Sequence, residues 1–181
     1  MKFVDSHCHI DGEAFDSDRS KVIERARSAG VEMMLVVGTG SPHNGEIGKA
    51  VEMAEQFDNV FASVGVHPHD AKEYNYAAEE ILVNLVKNSE KVIAWGEIGL
   101  DYYYDHSPRN VQTDVFIRQI RKAIELKLPI IVHSRDANNE TVEILKRECQ
   151  TKDFCGGIMH CFGGTPEMAN ELMDIGFMIS F

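Results

Sequence analysis

Apolar residues fall along this chain in short, β-rich runs that alternate with longer stretches of helical spacing. The strand-like runs start near Phe3, Met33, Phe61, Val92, Pro129, Gly157 and Phe177. Between them, Val22, Ala26 and Ala29 make one helical stripe, stopped by Gly30, and Ile47, Ala50, Val51 and Ala54 make the next. Ile81, Leu82 and Leu85 follow, then Phe116, Ile120, Ala123 and Ile124, and then Val142, Leu145 and Cys149. A sixth stripe, Ala169, Leu172 and Met173, opens at Thr165-Pro166 and closes at Gly176. Runs such as Met33-Met34-Leu35-Val36-Val37 and Ile130-Ile131-Val132 are apolar on both faces, as strands of a helix-covered parallel sheet must be. The pattern predicts βα units of roughly 30 residues each in a single domain over residues 1–181, with no low-complexity stretch or linker.

Such repeats build either an open doubly wound sheet or a (β/α)8 barrel. No Gly-x-Gly-x-x-Gly follows the first strand, which weighs against the dinucleotide-binding sheet. The expectation is an α/β, TIM-type (β/α)8 barrel that is incomplete, with about seven strands and six helices and the last unit missing before the eighth strand, because a barrel usually takes about 250 residues. The sequence stops within an apolar run, Ile179-Ser180-Phe181. A complete seven-stranded barrel is the weaker alternative.

Polar, metal-competent residues recur where the apolar strands finish. The first run ends in His7-Cys8-His9, the third in Val66-His67-Pro68-His69, and the fourth in Gly96-Glu97-Ile98-Gly99-Leu100-Asp101. The fifth ends in His133-Ser134-Arg135-Asp136 and the sixth in His160-Cys161-Phe162. In a barrel these ends converge on one opening, where such folds place their chemistry. Strand alternation puts His7 and His9 on one face, Glu97, Gly99 and Asp101 on another shared face, and His133 with Arg135 on a third. Ile98 and Leu100 then face the helices, Cys8 and Cys161 point away from the ligands, and Trp95 points inward beneath Glu97 as core filling.

Imidazole and carboxylate donors without thiolate suit Zn, Mn, Mg or a similar divalent cation rather than an iron–sulfur cluster. The expected metal ligands are His7, His9, Glu97, His133 and His160. His7 and His9 would hold one cation and His133 and His160 a second, with Glu97 bridging them. Two cations about 3.5–4 Å apart stabilise charge on both attacking and leaving oxygens, which points to hydrolysis. Candidate catalytic residues are Glu97, Arg135 and His67. Arg135 either clamps a phosphate through its planar fork or pairs with a neighbouring carboxylate. His67 and His69 are either donors around the metals or phosphate contacts, against the plainer role of starting a proline-fixed loop. Asp101 either orients a ligand histidine or caps the loop after the fourth strand. Tyr102-Tyr103-Tyr104 either stacks a nucleobase or packs the rim. His43 and His106 lie in polar stretches and read as exposed.

Charge narrows the partners. The net charge of −11, from 18 basic and 29 acidic residues, argues against a broad electrostatic grip on duplex nucleic acid. Bound cations would supply a local cationic site for a few phosphates. Four cysteines without Cys-x-x-Cys spacing fit a reducing compartment, and no apolar leader or membrane-length run is seen, so the cytoplasm is expected, with no membrane contact and no obligate protein partner.

The segments Asp5-Ser6-His7-Cys8-His9, Gly65-Val66-His67-Pro68-His69, Gly96-Glu97-Ile98-Gly99-Leu100-Asp101-Tyr102-Tyr103, Ile131-Val132-His133-Ser134-Arg135-Asp136-Ala137 and His160-Cys161-Phe162 closely resemble the TatD family of metal-dependent deoxyribonucleases. The resemblance runs in order over essentially the whole chain. It implies a barrel of the amidohydrolase type, two divalent cations, and phosphodiester hydrolysis in DNA, often from the 3′ end. By that resemblance the ligands map to His7, His9, Glu97, His133 and His160. The family pattern continues with a Glu-Thr-Asp-type segment on an eighth strand, whose aspartate binds metal and serves as general base; these 181 residues carry no such segment.

Three functions therefore stand at the level of sequence. The first is a two-metal phosphodiesterase acting on DNA ends, with few phosphate contacts and a preference for frayed or single-stranded ends. The second applies the same metals to a carbonyl centre, in an amide, lactone or ester. The third is a metal-binding chain without turnover.

Overall fold

The computed structural model describes residues 1–181. Seven strands alternate with six helices. The strands are β1 (Phe3–Cys8), β2 (Val31–Val37), β3 (Val60–Val64), β4 (Val92–Asp101), β5 (Ile130–Arg135), β6 (Gly157–Met159) and β7 (Phe177–Ile179). The helices are α1 (Arg19–Ser28), α2 (Glu46–Gln56), α3 (Tyr76–Asn88), α4 (Arg109–Leu126), α5 (Asn138–Glu148) and α6 (Pro166–Asp174). All strand pairs are parallel and the order is β1-β2-β3-β4-β5-β6-β7, a curled, TIM-like half-barrel with β1 and β7 at its edges.

The helix boundaries follow local chemistry. Asn75 accepts a hydrogen bond from the Ala78 N–H at the start of α3, and Thr165 accepts one from Met168 ahead of Pro166 in α6. Gly30, in the left-handed region at φ +98°, turns the chain from α1 into β2. No helix is long and apolar enough to cross a membrane.

Alternation divides the strand side chains between two apolar layers. Met34, Val36, Val60, Ala62, Val64, Ile130 and Val132 join helix residues such as Phe116, Ile120 and Leu145 in the main core outside the sheet. Leu35, Val37, Ala94 and Ile131, with Phe61 against them, form a smaller cluster on the concave side. Towards the strands' N-terminal ends, Val4, Met33, Phe61, Ile158 and Met178 line an apolar cavity of about 540 Å³. The polar residues lie at the opposite, C-terminal ends.

Trp95 corrects the expectation from strand parity. It is fully buried, but its ring lies in the helix-facing core and its Nε1 donates to Gln119 Oε1 of α4 at 3.2 Å. It therefore faces away from the barrel interior rather than lying beneath Glu97. The reason is an irregularity in β4 that also decides where Glu97 points.

Candidate metal centre

Trp95 pairs with Ile130 and Ile98 with Val132, so β4 takes three steps where β5 takes two. The extra residue is a bulge, which reverses which face later side chains occupy. Trp95 and Ile98 both face the helices as a result, and Glu97 between them turns into the barrel mouth. The first strand repeats the device: Asp5 pairs with Met34 and Cys8 with Val36, again three steps against two. Cys8 meets the helix-facing core, donating to the Leu35 carbonyl at 3.4 Å, and His7 turns inward. Regular pairing then carries β5, where His133 lies opposite Gly99. His160 follows Met159 at the end of β6, its N–H bonded to the Val132 carbonyl at 3.0 Å.

Glu97, only 5 % exposed, lies between two histidine groups. Its Oε2 is 3.4 Å from His7 Nε2, and its Oε1 is 3.2 Å from His133 Nδ1. His7, Glu97 and His160 each offer a donor atom within 4.8 Å of the others, and so do His67, Glu97 and His133. The His7 and His160 rings stack with centroids 3.4 Å apart. His9 Nε2 sits 3.1 Å from His7 Nε2, at the exposed edge of the first group and outside both three-donor sets. The geometry thus brings His160 to His7 rather than to His133, and adds His67 beside His133.

The donor chemistry fits divalent cations. Each group combines two imidazoles with one shared carboxylate and no thiolate. His7 turns its Nε2 to Glu97 and His9, while the Nδ1 atoms of His7 and His160 are buried without a hydrogen-bond partner. Burial disfavours charge on Glu97, yet hydrogen bonds from His133 and His7 outweigh it and hold the carboxyl well below the usual carboxylate range. Burial lowers His67 to about 3 and, together with His7, lowers His160, so both rings are neutral and available as ligands. Burial also opposes protonation of His133, but Glu97 and Asp101 on either side raise its pKa.

A family model for TatD related DNase matches residues 4–181. The chain belongs to the TatD-related DNase family. It is 45 % identical to the uncharacterized metal-dependent hydrolase YabD of Bacillus subtilis over 179 residues, covering 98 % of this chain and 67 % of that protein. It is 33 % identical to the 3′-5′ ssDNA/RNA exonuclease TatD of Klebsiella pneumoniae, covering 94 % of this chain and 63 % of that protein. The crystal structure of YJJV, a TatD homologue from Escherichia coli, matches with a TM-score of 0.86 at 29 % identity, over 98 % of this chain and 66 % of that one. The chain thus spans about two thirds of the length of the relatives it matches. It is a member of a family of metal-dependent hydrolases, with His and Glu groups placed to bind metal.

In this TatD-family chain the site is held in place by a layer of residues behind it. Asp101 both contacts His133, a candidate ligand, and caps the loop after β4. Its Oδ2 lies 3.0 Å from His133 Nε2 and 2.9 Å from His69 Nε2, and its Oδ1 accepts from the backbone N–H groups of Tyr103 and Tyr104 at 3.1 and 2.8 Å. Burial works against its ionisation, but the Tyr104 N–H, His69 and His133 prevail and bring it down to about 2. His69 thus braces Asp101 rather than joining a three-donor group. His67 also starts the 3-10 turn Pro68–Glu73, its Nδ1 accepting from the His69 N–H at 3.2 Å.

Two residues behind the site escaped the reading of the sequence. Gln112 and Gln119, two turns apart on the buried face of α4, act as surrogate strand neighbours. Gln119 accepts from the Val66 N–H at 2.8 Å and donates to the Val66 carbonyl at 2.9 Å, pinning the residue before His67. Gln112 does the same for Asp101, at 2.8 and 3.0 Å, and donates also to the Ser107 carbonyl at 2.8 Å. Strand β3 pairs with β4 only as far as Val64 and Trp95, so beyond it these backbone groups have no strand to bond. The signal was present: both glutamines fall in register with Val115, Phe116, Ile120 and Ala123 on the apolar face of α4.

The remaining candidates divide. Arg135 is exposed and has no carboxylate partner; its guanidinium lies over Tyr103. Tyr102 turns away from the mouth, its hydroxyl donating to Glu140 Oε2 at 2.8 Å. Burial and the Asp5 charge push the Cys8 thiol up to about 12, in keeping with its outward orientation. Cys161 is exposed and lines a small cleft with His133 and His160, outside both donor groups. His43 and His106 are exposed, although the His106 ring stacks on Tyr104.

Proposed function

We propose that this chain carries the core of a two-metal phosphodiesterase that removes nucleotides from single-stranded or frayed DNA ends. One observation carries the reading: the two oxygens of a single buried carboxylate, Glu97, each face a different histidine group. A bridging carboxylate between two imidazole sets suits two cations acting together on one centre. The name of the Klebsiella pneumoniae relative, a 3′-5′ ssDNA/RNA exonuclease, supports the choice of substrate. The net charge of −11 favours a substrate held through few phosphates over an internal duplex.

Zn, Mn or Mg, when bound, would supply positive charge at the attacking and leaving oxygens of the phosphodiester. His7, His160 and Glu97 would hold one cation, with His9 beside them, and His67, His133 and Glu97 the other. The work of the chain's own residues is positioning. Glu97 stays ionised despite its burial, and Asp101 holds the His133 ring by Nε2 so that Nδ1 faces Glu97. His69 fixes Asp101 in turn. His67, kept neutral by burial and oriented through its Nδ1 by the His69 N–H, would present its other ring nitrogen as a ligand beside Glu97.

The test is turnover of 3′- and 5′-labelled single-stranded and blunt duplex oligonucleotides with Mn, Zn or Mg, beside a panel of amides, lactones and esters. Stepwise shortening of the single strand from its 3′ end, lost in Glu97→Gln, is the expected result. Hydrolysis of the carbonyl panel without any phosphodiester cleavage would overturn the proposal.

A further inference from the structure

Beside the metal centre lies a second constellation with no structural task. Arg135 ends β5 two residues after His133, and lines with His133, Asp136, Asn138 and His160 one cleft of about 290 Å³. In a chain with 29 acidic residues its guanidinium pairs with none of them and makes no hydrogen bond; Arg27 is likewise unpaired, but Arg19, Arg25, Arg109, Arg118, Arg121 and Arg147 each hold a carboxylate. Instead it lies 4.2 Å over the Tyr103 ring and 4.8 Å from that of Tyr104. The two rings stand at 90° with centroids 4.8 Å apart, and remain 58 % and 48 % exposed. Their hydroxyls bond to nothing, and His106 backs Tyr104 at an 11° tilt. An aromatic corner left this open buries little of its own apolar surface, so packing does not explain it.

The corner is tied to the metal centre by one residue. Asp101 holds His133 and His69 through Oδ2, and through Oδ1 it holds the backbone of both tyrosines. Arg135 pairs in register with the same Asp101. A ligand seated on the corner is therefore indexed to the histidines by a rigid buried carboxylate.

We propose that Arg135, Tyr103 and Tyr104 form a subsite for one unpaired nucleotide adjoining the reacting phosphodiester. The inference rests on the nucleic-acid reading above and adds to it the residues that select an unpaired end. The guanidinium uses its face on the tyrosines and leaves its edge donors free for phosphate oxygens, which it can engage in pairs. The exposed rings offer a base a stacking surface that tolerates any sequence. A base within a duplex has both faces stacked and cannot use it; an unpaired terminal base can.

The test is a fluorescence titration of metal-free protein, in chelator at low salt, with a short single-stranded oligonucleotide carrying 2-aminopurine at its end. Binding should quench the probe through stacking, whereas a duplex with the probe paired at an internal position, both its faces already stacked, should show no further quench. Tyr103→Ala combined with Tyr104→Ala should abolish the quench and weaken binding roughly tenfold or more. The double Tyr→Phe variant should restore both. Arg135→Lys should weaken binding of the 5′-phosphorylated probe more than it alters the quench. Unchanged thermal melting of the variants shows that the fold is intact. An unquenched parent, or alanine variants that bind and quench like the parent, would overturn the subsite while leaving phosphodiester turnover open. Tyrosine-dependent quenching in a protein that cleaves no phosphodiester would overturn the activity and leave the subsite standing.

Discussion

Replacing Gln112 with leucine tests how the α4 amides support the site. Leucine keeps most of the side-chain volume but can neither donate nor accept. The substitution strands the N–H and carbonyl of Asp101 and the carbonyl of Ser107, which the Gln112 amide bonds at 2.8, 3.0 and 2.8 Å. Gln112, Asp101 and Ser107 are all buried, so water cannot replace the lost partners without opening the structure. At about 1–3 kcal/mol for each stranded group, and allowing for partial relaxation, the expected loss is about 3–6 kcal/mol. That is a large share of the ~5–15 kcal/mol typical of a folded domain. For a chain of this size the melting temperature should fall by roughly 6–24 °C. Thermal melts followed by circular dichroism in chelator, with urea titration to check an unchanged m-value, measure it. Asp101 would be loosened too, and with it His133, so zinc affinity by calorimetry should fall about 10–100-fold. A variant that melts within about 2 °C of the parent and binds zinc equally well would show that the amides are not structural.

Three further outcomes are expected. Glu97→Gln should lower bound metal measured by mass spectrometry after dialysis, in both histidine groups at once, since Glu97 belongs to both; loss of one cation with full retention of the other would refute the shared role. Gly99→Ala should destabilise by about 2–5 kcal/mol in urea titration, because its φ of +147° disfavours a side chain and a Cβ there would overlap the His133 carbonyl oxygen, 2.9 Å from the carbonyl carbon. Glu79 accepts from Tyr74 Oη and Arg118 Nε at 2.9 and 2.8 Å; although burial opposes its ionisation, these partners lower its pKa. A lowered folded pKa means stability that is present above the unfolded carboxylate value of about 4.3 and lost as pH falls through the folded value. Glu79→Gln should therefore melt lower than the parent at pH 7, by about 1–2 kcal/mol, with the gap closing below about pH 4.

The placement of the elements was legible because it depends on local periodicity. The runs at Phe3, Val92, Gly157 and Phe177 begin where β1, β4, β6 and β7 begin, and those at Met33, Phe61 and Pro129 lie within two residues of β2, β3 and β5. Two-faced apolar strands signalled a parallel sheet, and the polar endings collected the histidines and Glu97 at one end. What failed was parity carried through a strand. Trp95 and Glu97 are two apart, and strict alternation puts them on one face, but the extra residue in β4 separates them. Nothing in Gly96-Glu97 alone announces that, because a bulge is defined only against the partner strand.

Which residues reach the mouth of the barrel follows from local pattern: a strand's hydrophobic run says where it ends, and polar residues follow. Their company there comes from the fold. The curl of the sheet laid His160 of the sixth strand against His7 of the first, and set His67 beside His133. It also recruited Gln112 and Gln119 from the apolar face of a helix to bond strand ends left without a neighbour. Side-chain spacing along one strand is a local property, whereas pairing across strands depends on register, bulges and curvature, which arise only when the strands meet.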